Sequence, residues 1–188
     1  MFTLNRDLKF VRILMIAPQP FYTERGTPMN VKTMCHVLCD AKYHIDLLTF
    51  PTGKDVLQKN LKIIRLPNIL RTDTIPIGPS YIKFVYDILI VVMALWLLIT
   101  KRYDVVHGIE EGGYLAVVLS KLFRKNSIFD MDSSIPDHLK DSGLVKNRFV
   151  MAVISEIEKW CLKNSSLVIT VCEALSDKVR QVYPKATI

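Results

Sequence analysis

The feature that most constrains the fold of this chain is the alternation of short, mostly apolar runs with segments of helical pattern. The first three runs, Arg12–Ala17, His44–Phe50 and Leu61–Leu66, are each followed directly by a proline. Short runs of this kind are typical of strands that are buried on both faces of a sheet. Because parallel strands need long crossover connections, strands that alternate with helices predict a mostly parallel sheet.

The same pattern continues to the end of the chain. Three more strands are predicted at Val105–Ile109, Ser127–Asp132 and Leu167–Val171. Helices are predicted from Pro28 to about Lys42 and over Tyr81–Thr100, Gly112–Phe123, Asn147–Leu162 and Cys172–Tyr183, with loops over 68–80 and a loop or short helix over 133–146. Thr27 is predicted to cap the first helix, because Pro28 suits a first helical turn. The sequence therefore predicts a single Rossmann-like three-layer α/β/α domain over 1–188, with a mostly parallel sheet of about six strands.

Composition narrows the class of protein but not the partner. The chain has 188 residues, 50% of them hydrophobic, and a formal charge of +7. This size and apolar content predict a folded domain with a real core. A basic balance favours nucleic acid, phosphorylated substrates or an anionic membrane surface, and does not choose among them. Charged residues interrupt the N-terminus, so no secretory signal is predicted.

The cysteines indicate neither a disulfide framework nor a metal site. Cys35, Cys39, Cys161 and Cys172 show no framework spacing, and a reducing compartment is the simpler expectation. Cys35, His36 and Cys39 lie close together but match neither a paired zinc motif nor a haem attachment motif. We expect them on a buried helix face, and we expect no metal.

The apolar run Ile88–Ile99 permits two interpretations. It contains no polar residue, but it is shorter than the roughly 20 residues needed to span a bilayer. A helix fully buried against the sheet is the favoured interpretation, since the α/β pattern continues on both sides. The alternative is a helix that dips into one leaflet, for which Trp96 and the basic residues Lys101 and Arg102 would suit an interface.

Ligands of open parallel sheets bind beyond the carboxyl ends of the strands, which directs attention to the residues after each strand. After the first strand comes Glu24–Pro28, in which Gly26 has backbone freedom and precedes free helix N–H groups. Such a turn favours an anion or a sugar hydroxyl. The turn lacks both the dinucleotide-binding glycine pattern and the phosphate-binding P-loop pattern.

Acidic residues follow three of the later strands. Glu110 and Glu111 stand before Gly112 at a helix start, where they either bind hydroxyl groups or complement the helix dipole. Asp130 and Asp132 share one strand face, and Asp132 at the strand end is the better functional candidate. Ser133 or Ser134 is expected to cap a following helix. Glu173 is either an ordinary first-turn acid or a residue facing the cleft.

Four segments, in order, resemble the N-terminal domain of family 4 glycosyltransferases, which are retaining enzymes of the GT-B architecture. The segments read RILMIAPQPFYTERGTPMNVKTMCHVL, YDVVHGIEEGGYLAVVLSKLF, SIFDMDSSIPDHL and EKWCLKNSSLVITVCEALSDKV. The resemblance covers about Arg12 to Tyr183. It implies an acceptor-side domain and a second, C-terminal domain, outside this chain, that would bind the nucleotide-sugar donor.

The resemblance also implies roles for particular residues. The loop Arg25, Gly26, Thr27 matches the family's glycine loop near the donor phosphate and the acceptor, although the family usually has two adjacent glycines there. Asp132 falls where many members have a histidine that contacts the transferred sugar, and is the candidate catalytic residue. The candidate acceptor-binding residues are His107, Glu110, Glu111, Gly112, Ser133 and Glu173. Nucleotide-sugar is expected as co-substrate, without metal or other cofactor, although Asp130-Met131-Asp132 has the spacing of a metal-binding D-x-D motif.

Together these observations predict the acceptor half of an enzyme that moves a sugar to a lipid-linked or glycan acceptor, inactive alone. The expected location is cytoplasmic, with possible peripheral contact at the inner face of the membrane through residues 81–100, and no nucleic acid partner. One alternative is a non-catalytic module that docks on a separate donor-binding domain. Another is a flavodoxin-like nucleotide binder, which the missing phosphate-loop signature disfavours.

Overall fold

The computed structural model describes residues 11–76, 78, 80–141, 143 and 147–188. Within these residues, six parallel strands form one sheet in the order β3-β2-β1-β4-β5-β6. The strands are β1 (Arg12–Ala17), β2 (His44–Thr49), β3 (Leu61–Arg65), β4 (Val105–Ile109), β5 (Asn126–Met131) and β6 (Leu167–Thr170). This is the strand order of a doubly wound Rossmann fold. The predicted fold class is confirmed.

In the described part of the chain, six helices accompany these strands. They are α1 (Gly26–Asp40), α2 (Tyr81–Thr100), α3 (Glu111–Phe123), α4 (Ile135–Asp141), α5 (Arg148–Asn164) and α6 (Glu173–Val182). The predicted cap of the first helix is wrong: α1 follows Arg25, which makes no side-chain cap, and the Thr27 hydroxyl donates to Glu110 at 3.0 Å. The cap of α2 was not foreseen: Ser80 Oγ accepts from the Lys83 backbone N–H at 3.1 Å.

The sheet is covered unequally on its two faces. Leu14 pairs with Val106 in register. The side chains of both residues, together with that of Phe129, point to the face covered by α2, α3 and α5. Met15 and Leu47 point to the other face, which α1 covers. Three helices therefore lie side by side on one face, with α3 in contact with both α2 and α5.

The favoured interpretation of the apolar helix, full burial, is wrong. Only one side of α2 is buried, and its buried side chains are Tyr86, Ile90, Ala94, Leu97 and Leu98. Seven other large apolar side chains of α2 are exposed, namely Tyr81, Phe84, Ile88, Val91, Val92, Trp96 and Ile99. The rest are half-buried at the border between the two sides. Among the described residues, α2 is the one helix long and apolar enough to cross a membrane by length and composition.

Two glycines set how closely α3 approaches the sheet. A Cβ on Gly113 would lie 2.0 Å from Cδ2 of Phe129, and a Cβ on Gly112 would lie 2.5 Å from the Ile16 carbonyl oxygen. Contacts this short are not tolerated by real side chains, so both positions need glycine for packing. The N-terminus of α3 is thereby held directly against β1 and β5.

Candidate active site

A cleft opens at the carboxyl edge of the sheet, where the strand order changes direction between β1 and β4. This switch point is the usual ligand site of open α/β sheets. A cavity of about 280 Å³ lies between the loop after β1 and the end of β4. A second cavity of about 540 Å³ extends toward α2 and α4. The two share Gly78, Lys83, Glu110 and Glu111 in their walls, so they form one continuous cleft.

The loop before α1 lines the smaller cavity through Arg25, Gly26 and Thr27. A Cβ on Gly26 would meet nothing within 4 Å, and the residue is not in the left-handed region. The expectation that Gly26 supplies special backbone angles is therefore not met. What the glycine leaves is open space beside the first turn of α1, where backbone N–H groups without helical partners point outward.

Glu110, directly after β4, is held in a strained backbone conformation. Its φ of 49° and ψ of −120° lie in a region that glycine occupies readily and other residues avoid. Conformations of this kind cost about 1–3 kcal/mol and persist only where the surroundings impose them. Here the tight packing of Gly112 and the hydrogen bond from Thr27 fix the turn, and the Glu110 side chain faces both cavities.

The Glu110 carboxyl is also placed among like charges. Burial is the largest cause that raises its pKa, the Thr27 hydroxyl lowers it, and repulsion from Glu111 and Asp132 with a hydrogen-bonding contact to Asp132 raises it again. The net result is a pKa of about 7. Burial, with repulsion from Asp132 and Glu110, raises the pKa of Asp130 to about 7 as well. Near neutral pH this group of acids therefore holds protons that isolated carboxyls would have released.

His107 and Asp130 form a buried pair behind the cleft. His107 Nε2 lies 3.9 Å from Asp130 Oδ2, too far for a hydrogen bond, and neither side chain has a hydrogen-bond partner. Burial lowers the pKa of His107 to about 4, so the ring is neutral at pH 7 and the pair is not an ion pair. His107 is buried and lines neither cavity, and its contact with an acceptor stays a prediction.

The residues after β5 divide between cleft and core. Asp132, the predicted catalytic residue, is half-buried beside Glu110; its Oδ1 has no hydrogen-bond partner, and it lines neither cavity. Ser133 is exposed and lines the larger cavity. Ser134 was expected as a cap, but its hydroxyl donates to Glu158 Oε1 at 2.9 Å. Glu110 and Glu111, rather than Asp132, thus line both cavities of the cleft.

A buried glutamate on α5 fixes the segment after β5 from the core side. Glu158 of α5 is a charged residue, but it is buried. Its Oε2 accepts from the Tyr114 hydroxyl at 2.8 Å and from the Ile135 backbone N–H at 3.1 Å. Together with the bond from Ser134, these contacts hold the segment 133–135 against α3 and α5. The position of Ser133 in the cleft therefore depends on a side chain outside it.

Lys83 is a second cation of the cleft, besides Arg25, and was missed in the sequence. It lies on the first turn of α2 and lines both cavities, with Nζ at 3.1 Å from Asp87 and 3.7 Å from Glu111. Its side chain is largely covered, being 16% exposed. The sequence did contain a signal for this residue, namely a lysine shortly before the wholly apolar run Ile88–Ile99. A charged side chain at this position marks the point where α2 meets the sheet edge.

The remaining predicted site residues lie outside the cleft. Gly112 is buried as a packing glycine, and Glu173 is exposed at the start of α6, 3.9 Å from Arg180 Nη1, without lining either cavity. Cys35 is buried beside Met15 Sδ at 3.7 Å. In the described part of the chain, no cluster of three His, Cys, Asp or Glu side chains is arranged to hold a metal ion.

The comparisons with known proteins bear on the fold. No protein-family model matches the chain. The search of curated proteins finds no significant match either. Among solved structures, sucrose-phosphate synthase from Thermosynechococcus elongatus matches with a TM-score of 0.61 at 16% sequence identity. The match covers 94% of this chain and 46% of the synthase, so the chain spans about half the length of that protein. The chain therefore has an α/β Rossmann-like fold, similar to part of this GT-B glycosyltransferase.

Proposed function

We propose that this chain is the acceptor-side domain of a retaining, family 4 glycosyltransferase, which moves a sugar from a nucleotide-sugar to a lipid-linked or glycan acceptor on the cytoplasmic side of a membrane. The proposal joins the resemblance of four sequence segments to the GT-B type of fold. In it, a second domain binds most of the donor, and the reaction needs neither metal nor further cofactor. The chain by itself does not transfer sugar.

The observation that carries the proposal is the state of Glu110. Its backbone strain and its burial among Glu111 and Asp132 both destabilise the folded chain. Local features that oppose stability persist mainly where function requires them. The carboxyl lies at the switch point of the sheet, between the loop expected near the donor phosphate and the cavity expected for the acceptor.

Each wall of the cleft has a role in this proposal. Glu110 accepts a hydrogen bond from the acceptor hydroxyl that attacks the sugar, and Asp132 tunes Glu110 from behind. Arg25, with the first-turn N–H groups after Gly26, lies near the donor phosphate. Ser133 and Glu111 bind further hydroxyl groups of the acceptor.

Thermal unfolding of the 188-residue chain with separate ligands tests the proposal. Nucleoside diphosphates and nucleotide-sugars should raise the Tm little or not at all, because their main site lies in the second domain. Alkyl glycosides, as acceptor mimics, should raise the Tm of the wild type and less that of Glu110→Gln. Glu156→Gln is the matched control, since Glu156 is exposed on α5 and lines neither cavity of the cleft.

Two results would overturn the proposal. Strong stabilisation by a nucleotide alone would place the donor site in this domain. Sugar transfer by the isolated chain, measured with radiolabelled nucleotide-sugar, would show that the cleft is complete without a second domain.

A further inference from the structure

The exposed side of α2 carries an unbroken apolar stripe. The side chains of Tyr81, Phe84, Ile88, Val92, Trp96 and Ile99 recur every three or four residues, so they lie in one row. At the rise of an α-helix this row is about 30 Å long. No charged side chain interrupts α2 after Asp87. Exposed apolar patches of this extent mark contact surfaces rather than ordinary protein surface.

The two neighbouring helices add to the same side of the molecule. Helix α3 exposes Val118 and Leu122, and α5 exposes a row that consists of Phe149, Val150, Val153, Ile157 and Trp160. Both tryptophans of the chain are on this layer, Trp96 at 54% exposure and Trp160 at 45%. Tryptophan is the side chain most suited to the boundary between lipid and water. The outer surface of α2, α3 and α5, here called the apolar face, is therefore rich in membrane-compatible side chains.

A basic rim borders the apolar face at the amino-terminal edge of the sheet. All three helices run against the strands, so their C-terminal ends meet at this edge. The rim consists of Arg102, Lys121, Arg124, Lys125 and Lys163, all exposed. None of them forms an ion pair with a carboxylate of the described residues. Unpaired cations beside apolar side chains complement a surface that is anionic outside and apolar beneath.

We infer that the apolar face docks on an anionic lipid surface, with the side chains of α2 inserted among the lipids and the basic rim on the phosphates. The charge is what favours lipid over a second copy of this chain, because two copies joined through this face would bring their basic rims together. Neither an apolar row alone nor a basic cluster alone anchors a protein firmly, whereas the two combined do.

Docking along the surface is compatible with the fold, whereas spanning is not. Tyr86, Ile90 and Leu97 of α2 belong to the core, and α2 connects β3 to β4 of one sheet. Withdrawing the helix into a bilayer would expose that core. Phe84 of the stripe also lines the larger cavity of the cleft, so an acceptor held by a lipid tail would reach the cleft along α2. This last point alone rests on the proposed function.

Vesicle flotation of the 188-residue chain tests the inference, with one variant on the face and a matched variant away from it. Val92 on α2 and Val37 on α1 are both mid-helix valines, at 58% and 62% exposure. The wild type should bind vesicles that contain phosphatidylglycerol, and bind pure phosphatidylcholine much less, with the difference reduced by salt. Val92→Asp should weaken binding about tenfold or more, as expected when one valine-sized side chain leaves an apolar phase. Val37→Asp should bind like the wild type.

Tryptophan emission gives a second readout that does not depend on the charged variants. Trp96→Phe and Trp160→Phe each leave one reporter, and both remaining emissions should shift to the blue on phosphatidylglycerol vesicles. Absence of vesicle binding, or equal loss in Val92→Asp and Val37→Asp, would overturn the inference. So would a concentration-dependent dimer, seen by sedimentation without lipid, that Val92→Asp dissociates. None of these readouts uses donor or acceptor sugars, so they separate this inference from the proposed function.

Discussion

Replacing Glu110 by glutamine should stabilise the chain at alkaline pH and leave it unchanged at acid pH. Glutamine keeps the shape and the oxygen that accepts from Thr27. It removes a carboxyl whose pKa burial and neighbouring acids raise from 4.5 to about 7. Its amide N–H₂ can also donate to Asp132, whose Oδ1 has no hydrogen-bond partner.

The sign follows from proton binding. Between pH 4.5 and pH 7 the folded wild type retains a proton on Glu110 that the unfolded chain has released, so its free energy of unfolding falls as pH rises. A pKa difference of this size corresponds to ~3 kcal/mol when titration is complete. Partial exposure of Glu110 and its coupling to Asp130 reduce this to about 2 kcal/mol, or about 4–8 °C in Tm for a domain of this size.

Denaturant unfolding at a series of pH values, from acid to alkaline, measures the effect. The difference between Glu110→Gln and wild type should be near zero at about pH 4 and should grow to its full value by about pH 8. His107 acts in the opposite direction, because burial lowers its pKa to about 4 and stability is lost as pH falls from 6.5 toward 4. His107 is present in both proteins, so its contribution cancels in the difference between them. Glu156→Gln on the exposed side of α5 should show no pH-dependent difference.

A difference that stays flat from pH 5 to pH 8 would refute the reasoning, because Glu110 would then titrate as an ordinary surface acid. A destabilised Glu110→Gln protein at pH 8 would refute it more directly, since it would mean that the ionised carboxyl is stabilised by donors in the fold.

Three further substitutions test the packing around the cleft. Gly113→Ala should lower the free energy of unfolding by about 3 kcal/mol, because its Cβ would overlap the Phe129 ring. Gly26→Ala should change the free energy of unfolding by less than about 0.5 kcal/mol, because no atom lies within 4 Å of the added Cβ. Equal effects of the two substitutions in thermal unfolding would contradict the glycine geometry. Glu158→Ala should cost about 3 kcal/mol, because the Tyr114 hydroxyl and two other donors lose their buried partner. Urea unfolding measures this loss, and a loss below about 1 kcal/mol would mean that water replaces the carboxylate.

The fold could be predicted from the sequence because its signals are local. Prolines follow β1, β2 and β3 within a few residues, and apolar runs of strand length lie between segments of helical period. The structure shifts most element ends by only a residue or two. The cap of α1 was the one feature of a different kind that was mispredicted. The Thr27 hydroxyl can bond either to the helix backbone or to a distant side chain, and the sequence cannot show that it donates to Glu110, which follows β4.

The site was predicted less well than the fold because its properties depend on neighbours from other elements. The carboxylates after β4 were found, since their place at a strand end is visible in the sequence. The strain at Glu110 was not, because it comes from the packing of Gly112 against β1. The burial of His107 and Glu158 was also missed, because polar residues become buried only through partners or cavities that the fold creates. Periodicity could not decide the exposure of α2, because an all-apolar helix has no polar side to orient it.

Helix α2 joins the two proposals in one structural element. Its first turn places Lys83 in the cleft, and its outer side forms the stripe of the apolar face. Its inner side is fixed in the core by Tyr86, whose hydroxyl donates to Asn68 Oδ1 at 2.8 Å. Because the helix is held at its core side, contact with a lipid surface cannot change the distance between that surface and Glu110. The cleft therefore stays at a fixed height above any membrane on which the apolar face docks. If both proposals hold, a fixed height would select acceptors by the length of the group between lipid tail and reacting hydroxyl, and soluble acceptors of the same headgroup would lack that selection.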